Sequence, residues 1–127
     1  MTMTMTMNKK ILLIDDDPKV TILLAMRLRI AGKVIVKEVN NPHHIISTIR
    51  NDFLPDLIVC DIDMGDIGGD DVVLTLRSYP DLTTIPIILL SSLVNTENNG
   101  KDFGGVLMIS KEIGSENIVN TILSMLQ

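Results

Sequence analysis

The chain has 127 residues, a formal net charge of −5 at pH 7 and a hydrophobic fraction of 46%. That length is typical of one domain with a single core. The acidic balance, without a stripe of basic and aromatic residues, argues against nucleic-acid binding through electrostatics. No apolar stretch reaches the length of a membrane span, which argues against a membrane-spanning protein.

The single cysteine and the amino-terminal residues suggest where the protein works. Cys60 has no partner for an internal disulfide and is expected to be a small core residue in a reducing compartment. Residues 1–7 alternate Met and Thr and lack the apolar centre of a signal peptide. We therefore expect a cytoplasmic protein, with residues 1–8 as a disordered tail or a remnant of cloning and residues 9–127 as one domain.

The first third of the chain predicts a strand, a helix and a second strand. An apolar run predicts a strand over residues 10–14, and a second strand is predicted over residues 34–39. Between them, Pro18 suits the first turn of a helix and Gly32 suits its end. The apolar positions of this helix, which we expect to be core, are Val20, Leu23, Leu24 and Leu28.

The middle of the chain repeats this order. Asn41 and Pro42 are typical of a helix start. The residues of that helix expected to point inward are Ile45, Ile46 and Ile49. A buried strand is predicted over residues 57–61, followed by a glycine-rich loop over residues 65–69 and a helix over residues 70–78.

The last third contains two more strands and one clear helix. Strands are predicted over residues 87–90 and 106–109. Residues 95–100 between them have no apolar periodicity, so the helix expected there should be short, irregular or mobile. The final helix should be capped by Ser115, with Ile118, Val119, Ile122, Leu123 and Leu126 on one face. Alternating strands and helices favour a parallel α/β sheet.

Polar side chains follow the predicted strands at the point where each strand ends. They are Asp15 and Asp16 after the first strand, Asp61 and Asp63 at the third, Ser91 after the fourth and Lys111 after the fifth. The carboxyl ends of neighbouring parallel strands form the ligand site of such sheets. Converging carboxylates repel one another unless a cation is bound, and oxygen ligands suit Mg²⁺. Carboxylates, a hydroxyl and a lysine together suggest phosphoryl chemistry.

Four segments of the chain resemble a known family when they are taken together. They are ILLIDDDP, DLIVCDIDMGDIGG, PIILLSS and the lysine after the fifth strand. This order is similar to the receiver domain of two-component response regulators, over about residues 9–126. The resemblance implies a doubly wound α/β fold with five parallel strands in the order 2-1-3-4-5 and helices on both faces.

The resemblance also implies a role for each site residue and a class of partner. Asp61 would be the phosphoacceptor, Ser91 and Lys111 would contact phosphoryl oxygens, and Mg²⁺ would be held by Asp16, by Asp15 through water, by Asp61 and by the backbone carbonyl of Asp63. The donor would be a sensor histidine kinase or a phosphotransfer protein. The downstream effector is not indicated, and a homodimer is compatible with the family. The domain would be a signalling module and not an enzyme.

The sequence departs from the family pattern at positions associated with output. Glu112 follows the lysine where proline in a cis bond is usual, so we expect a trans bond here. Met108 replaces the family's switch aromatic, and Gly65 stands where proline is common. The segment before the fifth strand is short and rich in Asn and Gly.

Two alternatives to a phosphorylated receiver remain open. One is a degenerate receiver that acts as an interaction module without phosphate, which the substitutions at Met108 and Glu112 favour. The other is a phosphatase of the haloacid dehalogenase class, because Asp61-Ile62-Asp63 resembles its nucleophile motif. His43 and His44 have no partner at metal-ligand spacing and are expected to be exposed.

Overall fold

The computed structural model describes residues 8–92 and 105–127. The strands are β1 (Lys9–Ile14), β2 (Val34–Val39), β3 (Leu57–Asp61), β4 (Ile87–Ser91) and β5 (Val106–Ser110). The helices are α1 (Pro18–Ala31), α2 (Ile45–Arg50), α3 (Gly69–Arg77) and α4 (Ser115–Ser124), with 3₁₀ turns over Pro42–His44, Pro80–Leu82 and Lys111–Ile113. The expected tail over residues 1–7 and the expected irregular helix within residues 93–104 lie outside the described residues.

All five strands run parallel, in the order β2-β1-β3-β4-β5. Every residue of β3 and β4 is buried, as expected of central strands covered on both faces. The observed strand order confirms the predicted one. Burial on both faces explains why β3 and β4 are continuous apolar runs. Each fully buried leucine or isoleucine stabilises the fold by about 1.5–3 kcal/mol.

Helices cover both faces of the sheet, and each face has its own aliphatic core. One core joins the sheet to Ala25 and Leu28 of α1 and to Ile118 and Ile122 of α4. The other joins it to α2 and α3, through side chains that include Ile45, Ile49, Val72 and Leu76. The predicted placement of helices on both faces is therefore confirmed.

The interpretation of α1 as a core helix is wrong for two of its apolar positions. Val20 is 38% exposed and Leu23 is 53% exposed, while Ala25 and Leu28 are fully buried. The helix carries apolar side chains on all sides, and its small Ala25 faces the sheet. The large side chains on the opposite side consequently face solvent.

The starts of α1 and α4 differ in how well they follow the sequence signals. The Lys19 N–H donates to the Asp17 side chain at the start of α1, so the cap before Pro18 is present. Ser115 is not the cap of α4: Gly114, with φ +92°, precedes the helix, and Ser115 is its first residue. The left-handed backbone of Gly114 ends the preceding 3₁₀ turn and starts the helix one residue earlier than a serine cap would.

The second predicted helix begins as a 3₁₀ turn before α2. Asn41 caps this turn by accepting a hydrogen bond from the His43 N–H at 3.0 Å, as the sequence predicted. Ile45 and Ile49 are buried and Ile46 is partly buried. Within the described residues, no helix has the length and apolar character needed to cross a membrane.

Candidate functional site

The carboxyl ends of β1 and β3 lie side by side and bring three carboxylates together. Ile14 pairs with Cys60 in the sheet, so Asp15 and Asp61 occupy neighbouring positions. Oxygens of Asp15, Asp16 and Asp61 all lie within 4.8 Å of one another. We call these three residues the acidic triad. Asp15 and Asp61 are buried, and Asp16 is exposed.

Asp15 is a buried carboxylate whose ionised form is disfavoured. Its Oδ1 accepts a hydrogen bond from the Asp17 N–H at 3.0 Å. Burial raises the pKa of Asp15 to about 6, the Asp17 hydrogen bond partly opposes this, and the charge of Asp61 adds to it. The negative charge of the triad is therefore only partly compensated near Asp15.

Asp61 has a cationic neighbour from the other side of the site. Lys111 Nζ lies 2.7 Å from Asp61 Oδ1. Burial lowers the pKa of Lys111, but its hydrogen bond with Asp61 and the charges of Asp61 and Asp15 outweigh burial and raise the pKa. Lys111 is thus charged at neutral pH. Apart from this ion pair, Asp61 Oδ1 receives no hydrogen bond from the described residues.

The backbone after β5 presents Lys111 to the site. The Ser110 hydroxyl accepts a hydrogen bond from the Glu112 N–H at 3.1 Å and caps the 3₁₀ turn that begins with Lys111. The Lys111–Glu112 bond is trans, as the sequence predicted. Glu112 therefore does not prevent Lys111 from reaching Asp61, and Met108 lies partly buried against the α2–α3 core.

Ser91 and Asp63 lie at the same edge of the sheet as the triad. Ser91 is buried as the last residue of β4, and Leu90 before it pairs with Asp61. Asp63 is exposed in the loop after β3, and its charge contributes to the raised pKa of Lys111. Their proposed roles, a phosphoryl contact for the Ser91 hydroxyl and a metal contact for the Asp63 carbonyl, stay predictions.

The loop between β3 and α3 folds tightly against the sheet. Gly65 has φ +74°, a conformation that glycine adopts without strain. The Gly69 N–H donates to the Ile62 carbonyl at 2.9 Å. A Cβ at Gly69 would lie 2.9 Å from both Ile62 Cα and Leu89 Cδ2. Glycine at this position lets α3 start directly against the strand that carries Asp61.

The acidic triad has the donor chemistry of a divalent cation site. It offers three carboxylates, two of them buried, and Asp61 Oδ1 has no hydrogen-bond donor among the described residues beyond its ion pair. Hard oxygen ligands of this kind suit Mg²⁺. The triad could therefore hold a metal ion.

Asn40 and Cys60 also lie beside the site, although the sequence analysis did not place them there. The Asn40 side-chain amide donates to the Asp15 carbonyl at 2.8 Å. The Cys60 thiol, a core residue as predicted, donates to the Asp61 carbonyl at 3.2 Å, and burial raises its pKa. His43 and His44 are exposed, as the sequence predicted. Position at a strand end is the signal that could have identified Asn40, because it follows β2 as Asp15 follows β1.

Comparison with known families identifies the class of protein. The family model described as the response regulator receiver domain matches residues 11–123. The chain belongs to the response regulator receiver family. Receiver domains are signalling modules rather than enzymes and interact with histidine kinases, so the match favours this class over the phosphatase alternative.

Two curated relatives of this receiver are much longer proteins. It is 27% identical over 116 residues to the gliding motility regulatory protein of Myxococcus xanthus, covering 89% of this chain and 15% of that protein. It is 26% identical over 120 residues to the DNA-binding dual master transcriptional regulator RpaA of Synechocystis, covering 93% of this chain and 49% of that protein. The receiver thus spans half or less of the length of these two relatives.

Solved structures confirm the fold of the receiver. The chemotaxis response regulator CheY4 of Vibrio cholerae is 20% identical, with a TM-score of 0.77 over 93% of this chain and 98% of that one. The receiver domain of a histidine kinase from Syntrophus aciditrophicus is 26% identical, with a TM-score of 0.71 over 94% and 92% of the two chains. The CheY-like α/β fold is therefore shown.

Proposed function

We propose that this receiver takes a phosphoryl group onto Asp61 from the phosphohistidine of a sensor kinase or phosphotransfer protein, in a Mg²⁺-dependent reaction. The observation that carries the proposal is the environment of Asp61. Its buried carboxylate lies between Lys111 Nζ, 2.7 Å away, and the carboxylates of Asp15 and Asp16. A nucleophile, a cation and two further carboxylates thus meet at the carboxyl edge of the sheet.

The proposed chemistry needs little beyond positioning and charge. A carboxylate oxygen of Asp61 attacks phosphorus, the bond from phosphorus to the donor imidazole nitrogen breaks, and the nitrogen keeps the electron pair. Lys111 then pairs with a phosphoryl oxygen, and the Ser91 hydroxyl donates to another. The product is a mixed anhydride, which hydrolysis returns to the free carboxylate.

The residues that would hold Mg²⁺ are the acidic triad and the backbone carbonyl of Asp63. When bound, the ion supplies positive charge that offsets the triad and the incoming phosphoryl oxygens. Asp61 is the last residue of β3, and Asp15 and Asp16 follow the adjacent strand β1. Lys111 approaches Asp61 from the turn after β5, on the opposite side of β3 from β1.

An apolar surface beside the site supports docking of a protein donor. Val20 and Leu23 of α1 are 38% and 53% exposed. A groove of about 360 Å³ between α1 and α4 is lined by Val20, Leu23 and Ile118, among others, and reaches Lys111. Exposed apolar side chains that adjoin a reactive group mark an interaction surface. A donor seated there would bring its phosphohistidine to Asp61.

Intact-mass measurement after incubation with Mg²⁺ and acetyl phosphate tests the proposal. Wild type and Asp66→Asn, which changes an exposed aspartate of the same loop, should each gain one phosphoryl group, and Asp61→Asn should gain none. An adduct that persists on Asp61→Asn would contradict the assignment. No adduct on folded wild type that binds Mg²⁺ would favour the degenerate receiver.

A pair of helix variants tests where the protein donor docks. Leu23→Glu on α1 should slow transfer from a phosphorylated histidine phosphotransfer domain and leave labelling by acetyl phosphate unchanged. Leu74→Glu, at a 70% exposed position on α3, is the matched control and should transfer normally. Equal slowing in both variants would place the docking surface elsewhere.

A further inference from the structure

Asn40 follows β2, and the sheet register places it beside the first residue of the acidic triad. Ile14 of β1 pairs with Val39 of β2, so the next residues, Asp15 and Asn40, are neighbours. The Asp15 N–H donates to the Val39 carbonyl at 3.2 Å. Backbone pairing between these two segments therefore continues past the ends of β1 and β2.

The side chain of Asn40 joins the end of β1 to the first turn of α1. Its Nδ2 donates to the Asp15 carbonyl at 2.8 Å and to Thr21 Oγ1 at 2.9 Å. Thr21 is buried, and its hydroxyl donates to the Pro18 carbonyl at 3.2 Å. Both hydrogens of one amide nitrogen are thus used, one at each end of the segment that contains Asp16 and Asp17.

Among the described residues, the other side-chain hydrogen bonds of this segment are local. The Asp17 N–H donates to Asp15 Oδ1, and the Lys19 N–H donates to Asp17 Oδ1, each at 3.0 Å. These bonds shape the turn but do not attach it to the rest of the sheet. Asn40 reaches the turn from a different strand and fixes the plane of the peptide between Asp15 and Asp16.

We propose that Asn40 is a positioning residue for Mg²⁺ binding, an inference that rests on the proposed function. It holds the Asp15–Asp16 peptide so that both carboxylates face Asp61. Bridging Asp15 and Thr21 requires a side chain with two donors, because the Asp15 carbonyl only accepts and the Thr21 hydroxyl already donates to the Pro18 carbonyl. Groups that orient metal ligands commonly change metal affinity by 10- to 100-fold when they are removed.

The test compares Asn40→Ala with Asn41→Ala by calorimetric titration with Mg²⁺ and by amide hydrogen exchange in the metal-free protein. Asn41 is the matched control, because it caps the neighbouring 3₁₀ turn through the His43 N–H. Asn40→Ala should bind Mg²⁺ about 10-fold more weakly, and the Asp17 amide should exchange faster. Asn41→Ala should leave both unchanged. Thr21→Val, which removes one acceptor of the Asn40 amide at nearly constant volume, should give a smaller loss in the same direction.

The two readouts separate failure of this inference from failure of the proposed function. Mg²⁺ affinity of Asn40→Ala within about twofold of wild type, well under the change expected on losing such a group, would overturn the inference. If wild type binds no Mg²⁺, the proposed function fails, and amide exchange alone decides whether Asn40 orders the turn. Equal exchange at Asp17 in wild type and Asn40→Ala would then overturn the positioning role.

Discussion

Asp15 and Asp61 are buried carboxylates at adjacent strand ends, yet only Asp61 has a lysine within ion-pair distance among the described residues. Lys111 Nζ lies 2.7 Å from Asp61, whereas the pKa of Asp15 is raised to about 6 by burial and by its acidic neighbour. The protein supplies its own cation on the β5 side of the site and leaves the β1 side short of positive charge. In the proposed function, the half of the site with Lys111 would face the phosphoryl group, and the half short of positive charge would hold the metal ion.

The largest expected effect is on Mg²⁺ affinity, when the carboxylates of Asp15 and Asp16 are removed. Asp15→Asn combined with Asp16→Asn should weaken Mg²⁺ binding by at least about 100-fold, because two of the three carboxylates of the triad lose their charge. Titration calorimetry measures the change. Asp17→Asn is the control, since asparagine also caps α1 and the residue lies outside the triad. Unchanged binding in the double variant would place any metal elsewhere.

Asp15→Asn alone should stabilise the metal-free protein at about pH 7.5, by about 1–3 kcal/mol. The folded pKa of Asp15, about 6, lies above the ordinary value of 3.8. The contribution of Asp15 to stability is therefore fully present below about pH 4 and is lost as the pH rises through about 6, whereas asparagine does not titrate. Urea unfolding of wild type and Asp15→Asn at about pH 4 and about pH 7.5 measures the difference in their free energies of unfolding. A difference of the same size at both would show that a cause other than charge burial is responsible.

Lys111→Met should shift the metal-free protein in the opposite direction and by less. The buried Asp61 would lose its cation, and the free energy of unfolding should fall by about 1 kcal/mol, because Lys111 is partly in water. Added Mg²⁺ should stabilise this variant more than it stabilises wild type. Lys37→Met, at an exposed position of β2, is the control for losing a lysine. Equal Mg²⁺ effects in both variants would show that Lys111 and the metal do not share the charge of Asp61.

The sequence predicts the sheet and the core of the site because both depend on short-range patterns. Strands β1 and β3 are apolar runs that end in aspartate, and parallel pairing of such runs brings Asp15 and Asp61 together. The raised pKa of Asp15 and the ion pair of Asp61 were not predictable, since they depend on burial and on the reach of the Lys111 side chain.

Features that depend on three-dimensional neighbours were missed for identifiable reasons. The role of Asn40 arises from the register between β1 and β2, which the composition of either strand does not encode. The exposure of Leu23 was not predicted, because α1 is apolar on all sides and periodicity could not indicate which side meets the sheet. The start of α4 at Ser115 depends on the positive φ of Gly114, and a serine cap was the simpler expectation.

The buried position of Cys60 allows local opening of the protein to be measured by alkylation of its thiol. The thiol is the only one in the chain, it is fully buried in the strand that carries Asp61, and it hydrogen-bonds to the backbone of that residue. The side chain lies in the core between the sheet and the α2 and α3 helices, so an alkylating reagent reaches it only when that core opens, because a buried, protonated thiol does not react. The alkylation rate of unmodified wild-type protein therefore measures how often the core behind Asp61 opens, with no label introduced.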